Sequence, residues 1–114
     1  MAARAADAKG ARDVVILEVA DVLVVADEFV IASAPNDRLV KAVVEEVERV
    51  VAETGYRKPV RVEGLDDLHW VLMDYGDVVV HVFIQETRDY YELERLWGDV
   101  PRIDWAPATA GQRR

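Results

Sequence analysis

Apolar residues fall along this chain in short β-branched runs interrupted by one long helical stripe. Val14 to Val19 is a run of strand length, and Val22 to Val25 after it reads as either a second strand or a buried loop. Phe29 to Ser33 forms the next strand. Pro35 ends it, because proline cannot donate to a ladder, and Asn36 is suited to cap the helix that begins near Asp37. From there Val40, Val43, Val44, Val47, Val50 and Val51 recur at helical spacing, with Lys41, Glu45, Glu46, Glu48 and Arg49 opposite them and Gly55 as the stop. Valine is a mediocre helix former, so packing of this stripe on a sheet must hold the helix. Pro59 to Glu63 alternates Val60 and Val62 with Arg61 and Glu63, a short strand with one wet face, and Gly64 to Leu68 is a loop.

Trp70 to Tyr75 and Val78 to Ile84 are separated only by Gly76-Asp77, the connection length that tight antiparallel hairpins favour. If Tyr75 opposes Val78, then Asp74 opposes Val79, Leu72 opposes His81 and Trp70 opposes Phe83, and opposed residues share a face. Val71, Met73, Tyr75, Val78, Val80 and Val82 then make a core face. Trp70, Leu72, Asp74, Val79, His81 and Phe83 make a second face that mixes aromatic and ionisable groups, and Asp74 argues that this side is not sealed inside. A last helix from about Thr87 to Trp97 sets Tyr90, Leu93, Leu96 and Trp97 within one arc, of which Tyr90, Leu93 and Leu96 read as core and Trp97, near the end, as an interface residue; Tyr91 and Arg95 stay outside, and Gly98 and Pro101 close it. Met1 to Lys9 is rich in alanine but has almost no large apolar residue, and Gly10 interrupts it, so a frayed helix or a mobile arm is expected. The organisation reads as an arm over 1–12, one domain over 13–103 and a loose tail over 104–114.

Composition narrows the function. With 114 residues, 52% hydrophobic and 32% charged, the chain supports one packed core. Its 22 acidic and 14 basic side chains give a formal charge of -8, which repels bare nucleic acid and favours a basic protein partner. The absence of cysteine excludes disulfides and thiol chemistry and fits a reducing cytosol. Neither a secretory signal pattern nor an apolar stretch of membrane-spanning length appears, so a cytoplasmic protein is expected.

The catalytic inventory is thin. Ser33 is the only serine, and only His69 and His81 are candidate bases, with no nucleophile elbow or phosphate-cradling glycine loop around them. Asp74 with Asp77 and Asp66 with Asp67 are the nearest carboxylate pairs, but they fit turn and loop roles better than a metal site. His81 reads as a hydrogen-bonded structural histidine rather than a ligand or base. No catalytic residue, metal or cofactor is therefore expected.

The order of segments is specific. Gly76-Asp77-Val78-Val79-Val80-His81-Val82-Phe83, then Glu86-Thr87-Arg88 and Tyr91-Glu92-Leu93-Glu94-Arg95-Leu96-Trp97, follow Ala26-Asp27-Glu28-Phe29-Val30-Ile31-Ala32 with Arg38 and Val62-Glu63-Gly64 before Trp70. From about Asp13 to Trp97 this resembles the ribosomal silencing factor family, also called Iojap-like. The chain departs from the family pattern in having Ala34-Pro35-Asn36-Asp37 where a small-residue Thr-Ser-Ser type turn is usual, and in a shorter N-terminal helix.

The resemblance implies an α/β fold: a mixed sheet flanked by helices, related in topology to nucleotidyltransferases but without their catalytic carboxylates. It implies docking on ribosomal protein fourteen of the large ribosomal subunit, so that the small subunit cannot join when nutrients are short, and it implies a possible homodimer. Contact energy in such an interface concentrates in a few aromatic residues within a polar rim. The expected contact residues are Trp70, Leu72, Asp74 and His81 from the hairpin, with Tyr91, Glu94 and Trp97 from the last helix. A metal-dependent nucleotidyltransferase-like enzyme and a large-subunit assembly or maturation adaptor are the rival readings.

Overall fold

A computed structural model describes residues 2–20, 26–55, 57–91 and 101–103. In chain order the elements are α1 (Ala2–Ala8), β1 (Arg12–Glu18), β2 (Glu28–Ala34), α2 (Asp37–Gly55), β3 (Arg61–Glu63), β4 (Trp70–Asp74), β5 (Val78–Ile84), α3 (Gln85–Tyr91) and β6 (Arg102–Ile103). The strands form one sheet in the order β3-β4-β5-β2-β1-β6. β2 and β5 run parallel and every other neighbouring pair is antiparallel, which gives the mixed sheet that the resemblance implies. A parallel pair needs a long crossover, and α2 with β3 and β4 provides it.

Asn36 caps α2 as its side chain suggests: Oδ1 accepts from the Leu39 amide at 2.9 Å. The valine stripe then lies on the sheet, with Val40, Val43, Val44, Val47 and Val51 buried against Val30, Ala32, Val71, Met73, Val80 and Val82. Each buried valine contributes roughly 1.5 kcal/mol by leaving water, which offsets its modest helix propensity.

The N-terminal segment differs from its expectation. α1 is a docked helix rather than a frayed or mobile arm: Ala3, Ala5 and Ala6 are buried, and the helix packs on α2 and β1. Small side chains let two helix backbones approach closely, so alanine suffices where hydropathy alone shows no anchor. Gly10, at φ +95°, ends α1 in a Schellman motif, with the Gly10 amide donating to the Asp7 carbonyl and the Ala11 amide to the Ala6 carbonyl, both at 3.0 Å. Val22 to Val25 and the tail beyond Asp104 lie outside the described residues. Unanticipated from sequence, Arg102–Ile103 pairs with Leu17 and Ile16 as an edge strand.

The hairpin register is as the two-residue connection dictates: Trp70 pairs with Phe83, Leu72 with His81 and Asp74 with Val79. Gly76, at φ +94°, takes the first turn position and the Asp74 carboxylate accepts from its amide at 2.8 Å. The parallel β2–β5 pairing carries both faces across the sheet, setting Ile31 beside His81 and Phe29 beside Val79. One face is closed by α1 and α2. On the other, Leu17, Val19, Ala26, Ile31 and Phe83 form a smaller core with Val15, Phe29 and Val79 packed against it. This second face is therefore buried at its centre, contrary to the expectation drawn from Asp74, while Val15, Phe29 and Val79 around it are partly exposed and Trp70 at the start of β4 is exposed.

The last helix also departs from its expectation. It starts at Gln85, directly after β5, two residues ahead of the expected Thr87, and its described part reaches Tyr91. The residue it buries is Arg88, 2% exposed, while Tyr90, expected in the core, is 78% exposed. The physical reason is helix phase: at about 100° per residue, Tyr90 stands on the side opposite Arg88.

Candidate functional site

The open edge of the second face carries a chain of aromatic rings. Trp70 leads β4 and rests on Phe83, its cross-strand partner, with ring centroids 4.7 Å apart. Tyr91, at the end of the described part of α3, meets Trp70 at 5.9 Å, and Tyr90 meets Tyr91 edge-on at 5.1 Å. Trp70 is 42% exposed and Tyr91 52% exposed, so the cluster reaches solvent. Beside it lies an open depression of about 340 Å³, lined by Asp67, His69, Trp70, Glu86, Thr87, Tyr90 and Tyr91.

Two polar devices hold this edge in place. The Trp70 indole N–H donates to His81 Nδ1 at 3.1 Å, which fixes the indole plane and places the imidazole proton on Nε2. His81 Nε2 is buried with no hydrogen-bond partner among the described residues. Ring contacts with Phe29 and Phe83 surround the same imidazole. Burial pushes its pKa down to about 4. The second device is Arg88, whose guanidinium donates to the Asp13 carbonyl at 2.7 Å and to the Ser33 hydroxyl at 3.1 Å. Asp13 sits at φ 49° in a bulge of β1, where the register against β2 shifts between Arg12 and Val15. Arg88 thus ties α3, and with it Tyr91 one turn on, to the strained part of the sheet.

His81 has a pH consequence. A histidine whose folded pKa lies below its unfolded value of about 6.5 is protonated more readily in the unfolded chain, so stability falls as pH drops through that value and stops falling below the folded pKa. Between pH 6.5 and about 4 the loss expected from His81 is roughly 3 kcal/mol. Urea midpoints measured across this window should fall for the native chain, and His81→Leu should flatten that part of the curve; an unchanged slope would show that His81 is not the titrating group.

Of the residues expected to contact a partner, Trp70 and Tyr91 meet at the surface. Leu72 is half-buried on the same face, opposite His81. His81 is 7% exposed and lies beneath Trp70 rather than on the surface. Asp74 is occupied structurally, accepting from Gly76 and standing 3.5 Å from the Arg61 guanidinium. Glu94 and Trp97 lie outside the described residues. The cluster adds Tyr90, Asp67 and Glu86, which sequence reasoning did not select; only the phase of α3, set by the burial of Arg88, reveals Tyr90 and Glu86.

The carboxylate pairs stay with turn roles. Asp77 accepts from Arg57 at 2.7 Å, and this bond holds its carboxyl below the usual range. Asp67 caps its own loop by accepting from the His69 amide. Among the described residues no three His, Asp or Glu side chains converge to hold a metal ion, and no helix is long and apolar enough to cross a membrane.

Comparison with known proteins decides the family. The profile of the family described as "Ribosomal silencing factor during starvation" matches residues 1–114. The chain belongs to the ribosomal silencing factor family. It is 43% identical to the ribosomal silencing factor RsfS of Bacillus subtilis over 104 residues, covering 91% of this chain and 87% of that protein. A crystal structure from Bacillus halodurans superposes with a TM-score of 0.77 at 39% identity, covering 90% of this chain and 92% of that one. A more distant relative, "Mitochondrial assembly of ribosomal large subunit protein 1" of Mus musculus, is 34% identical over 91 residues, which span 78% of this chain and 40% of that longer protein. The family resemblance carried by the hairpin and the Glu86-Thr87-Arg88 segment thus holds for the whole chain.

Proposed function

We propose that this silencing-factor chain associates with the large ribosomal subunit, docks on its ribosomal protein fourteen at the joining face, and blocks the small subunit by occupying space. The observation that carries the reading is the exposed Trp70–Tyr91 cluster, an aromatic patch left uncovered at the sheet edge of an acidic member of this family. A net charge of -8 turns such a patch toward a basic protein rather than toward ribosomal RNA. A body of 36 × 34 × 31 Å set on a joining surface is too thick for two subunits to close over, so the mechanism needs no bond-making step. Self-association through the same aromatic edge would compete with docking.

The test mixes the purified protein with large and small subunits and follows association by sedimentation. Joined ribosomes are expected to disappear without added nucleotide; unchanged joining would reject the reading. Trp70→Ala and Tyr91→Ala should each weaken large-subunit binding about tenfold or more with the strand pairing kept, Trp70→Ala also lowering stability because it removes the hydrogen-bond donor to His81. The name of the mouse relative supports a second reading, an adaptor for large-subunit assembly. Deletion of the gene would then leave large-subunit precursors accumulating, whereas a pure block on joining would leave assembly untouched.

A further inference from the structure

We infer that the depression beside Trp70 receives a cationic side chain, a lysine or arginine of the docking partner, held between aromatic faces and carboxylates. The inference rests on the docking reading above and specifies its chemistry.

Three rings and two carboxylates set the character of the depression. Trp70 and Tyr91 are inclined at 57°, and Tyr90 and Tyr91 at 86°, so the three rings do not stack flat on one another, and all three line the depression. A ring face carries negative potential and attracts an ammonium or guanidinium within about 6 Å of its centroid. Asp67 and Glu86 stand on the same lining. Glu86 has no ion-pair partner among the described residues, and Asp67 is engaged only with His69 of its own loop. The described lining contains no lysine or arginine to neutralise them. Tyr90 is 78% exposed on the lining of this depression. An apolar partner side chain would leave two carboxylates desolvated against it, and an acidic one would be repelled. A cation satisfies rings and carboxylates together.

The experiment measures co-sedimentation with purified large ribosomal subunits at two salt concentrations. The variants are Tyr90→Phe, Tyr90→Leu, the double change Asp67→Asn with Glu86→Gln, and Trp70→Ala as reference. Tyr90→Leu should weaken binding about fivefold while Tyr90→Phe, which keeps the ring face, stays within about twofold. The double variant should lose about tenfold and show a shallower dependence on salt. Asparagine retains the acceptor for the His69 amide, so the loop should keep its shape.

If Tyr90→Leu and the double variant bind normally while Trp70→Ala does not, the cation pocket is wrong and the docking reading stands. If Trp70→Ala also binds normally, both fall. Equal losses for Tyr90→Phe and Tyr90→Leu would assign the contact to the hydroxyl and overturn the cation. Tighter binding by the double variant would show that the carboxylates repel the partner, which also overturns it.

Discussion

Gly64→Ala is expected to cost about 3 kcal/mol or more and to displace Trp70 even if the chain still folds. Two independent facts converge at this glycine. Its φ is +92°, a region that a residue with a Cβ adopts only under strain. A Cβ built there would lie 2.1 Å from the Trp70 carbonyl oxygen and 3.2 Å from the Val71 Cα, both backbone atoms that no rotamer change can move aside. The chain turns here from β3 into the loop that leads back to β4, and the Gly64 carbonyl accepts from the Leu68 amide at 3.1 Å to close that loop. Relief requires β3 or the first residue of β4 to shift, and that first residue carries the exposed indole. Thermal or urea unfolding measures the first effect. Amide exchange over residues 61–74 and large-subunit binding measure the second. A variant with native stability and native binding would show that the loop has slack the present geometry does not suggest.

Arg88→Leu should lose about 3 kcal/mol, because it strands the Asp13 carbonyl and removes the guanidinium that the Ser33 hydroxyl receives. Ser33 in turn donates to the Arg12 carbonyl at 3.2 Å, so the arginine completes a small network across the β1 bulge. Both bonds leave the one nitrogen Nη1, so Arg88→Lys, whose ammonium also carries several donors, should recover part of the loss. Ser33→Ala alone should cost about 1 kcal/mol. The double variant should cost less than the sum of the two single losses if the network is real, and strict additivity would refute it. Because Tyr91 follows one turn after Arg88, loosening of α3 should also reduce contact between Tyr91 and Trp70, visible as a change in binding beyond that in stability.

The hairpin shows what a sequence specifies well. Its connection of two residues allows one register, and strict alternation then assigns each residue from Trp70 to Phe83 to a face, as the pairing of Leu72 with His81 attests. The α2 stripe was equally legible, because five buried valines at helical spacing have no other low-energy arrangement. α1 was not, since alanine gives almost no hydropathy contrast whether it packs or dangles. Asp74 misled as a sign of an open face: its carboxylate reaches the turn amide and Arg61, so it marks the hairpin end of β4 and not the wetness of the sheet's centre.

The candidate site divides the same way. Trp70 and Tyr91 could be chosen from aromatic residues on expected surfaces. That His81 lies under Trp70 as its hydrogen-bond acceptor depends on how far the second face is covered. That Tyr90 and Glu86 join the depression depends on the phase of α3, set by a buried arginine whose acceptors, Asp13 and Ser33, lie far away in the chain. Local periodicity and turn length by themselves determined β1 to β5, the long helix and the hairpin register, because those follow from interactions between near neighbours, whereas β6 did not announce itself. Only the tertiary structure decided which edge stays open and which charges face it, because burial of a polar group is governed by partners that no local pattern can announce.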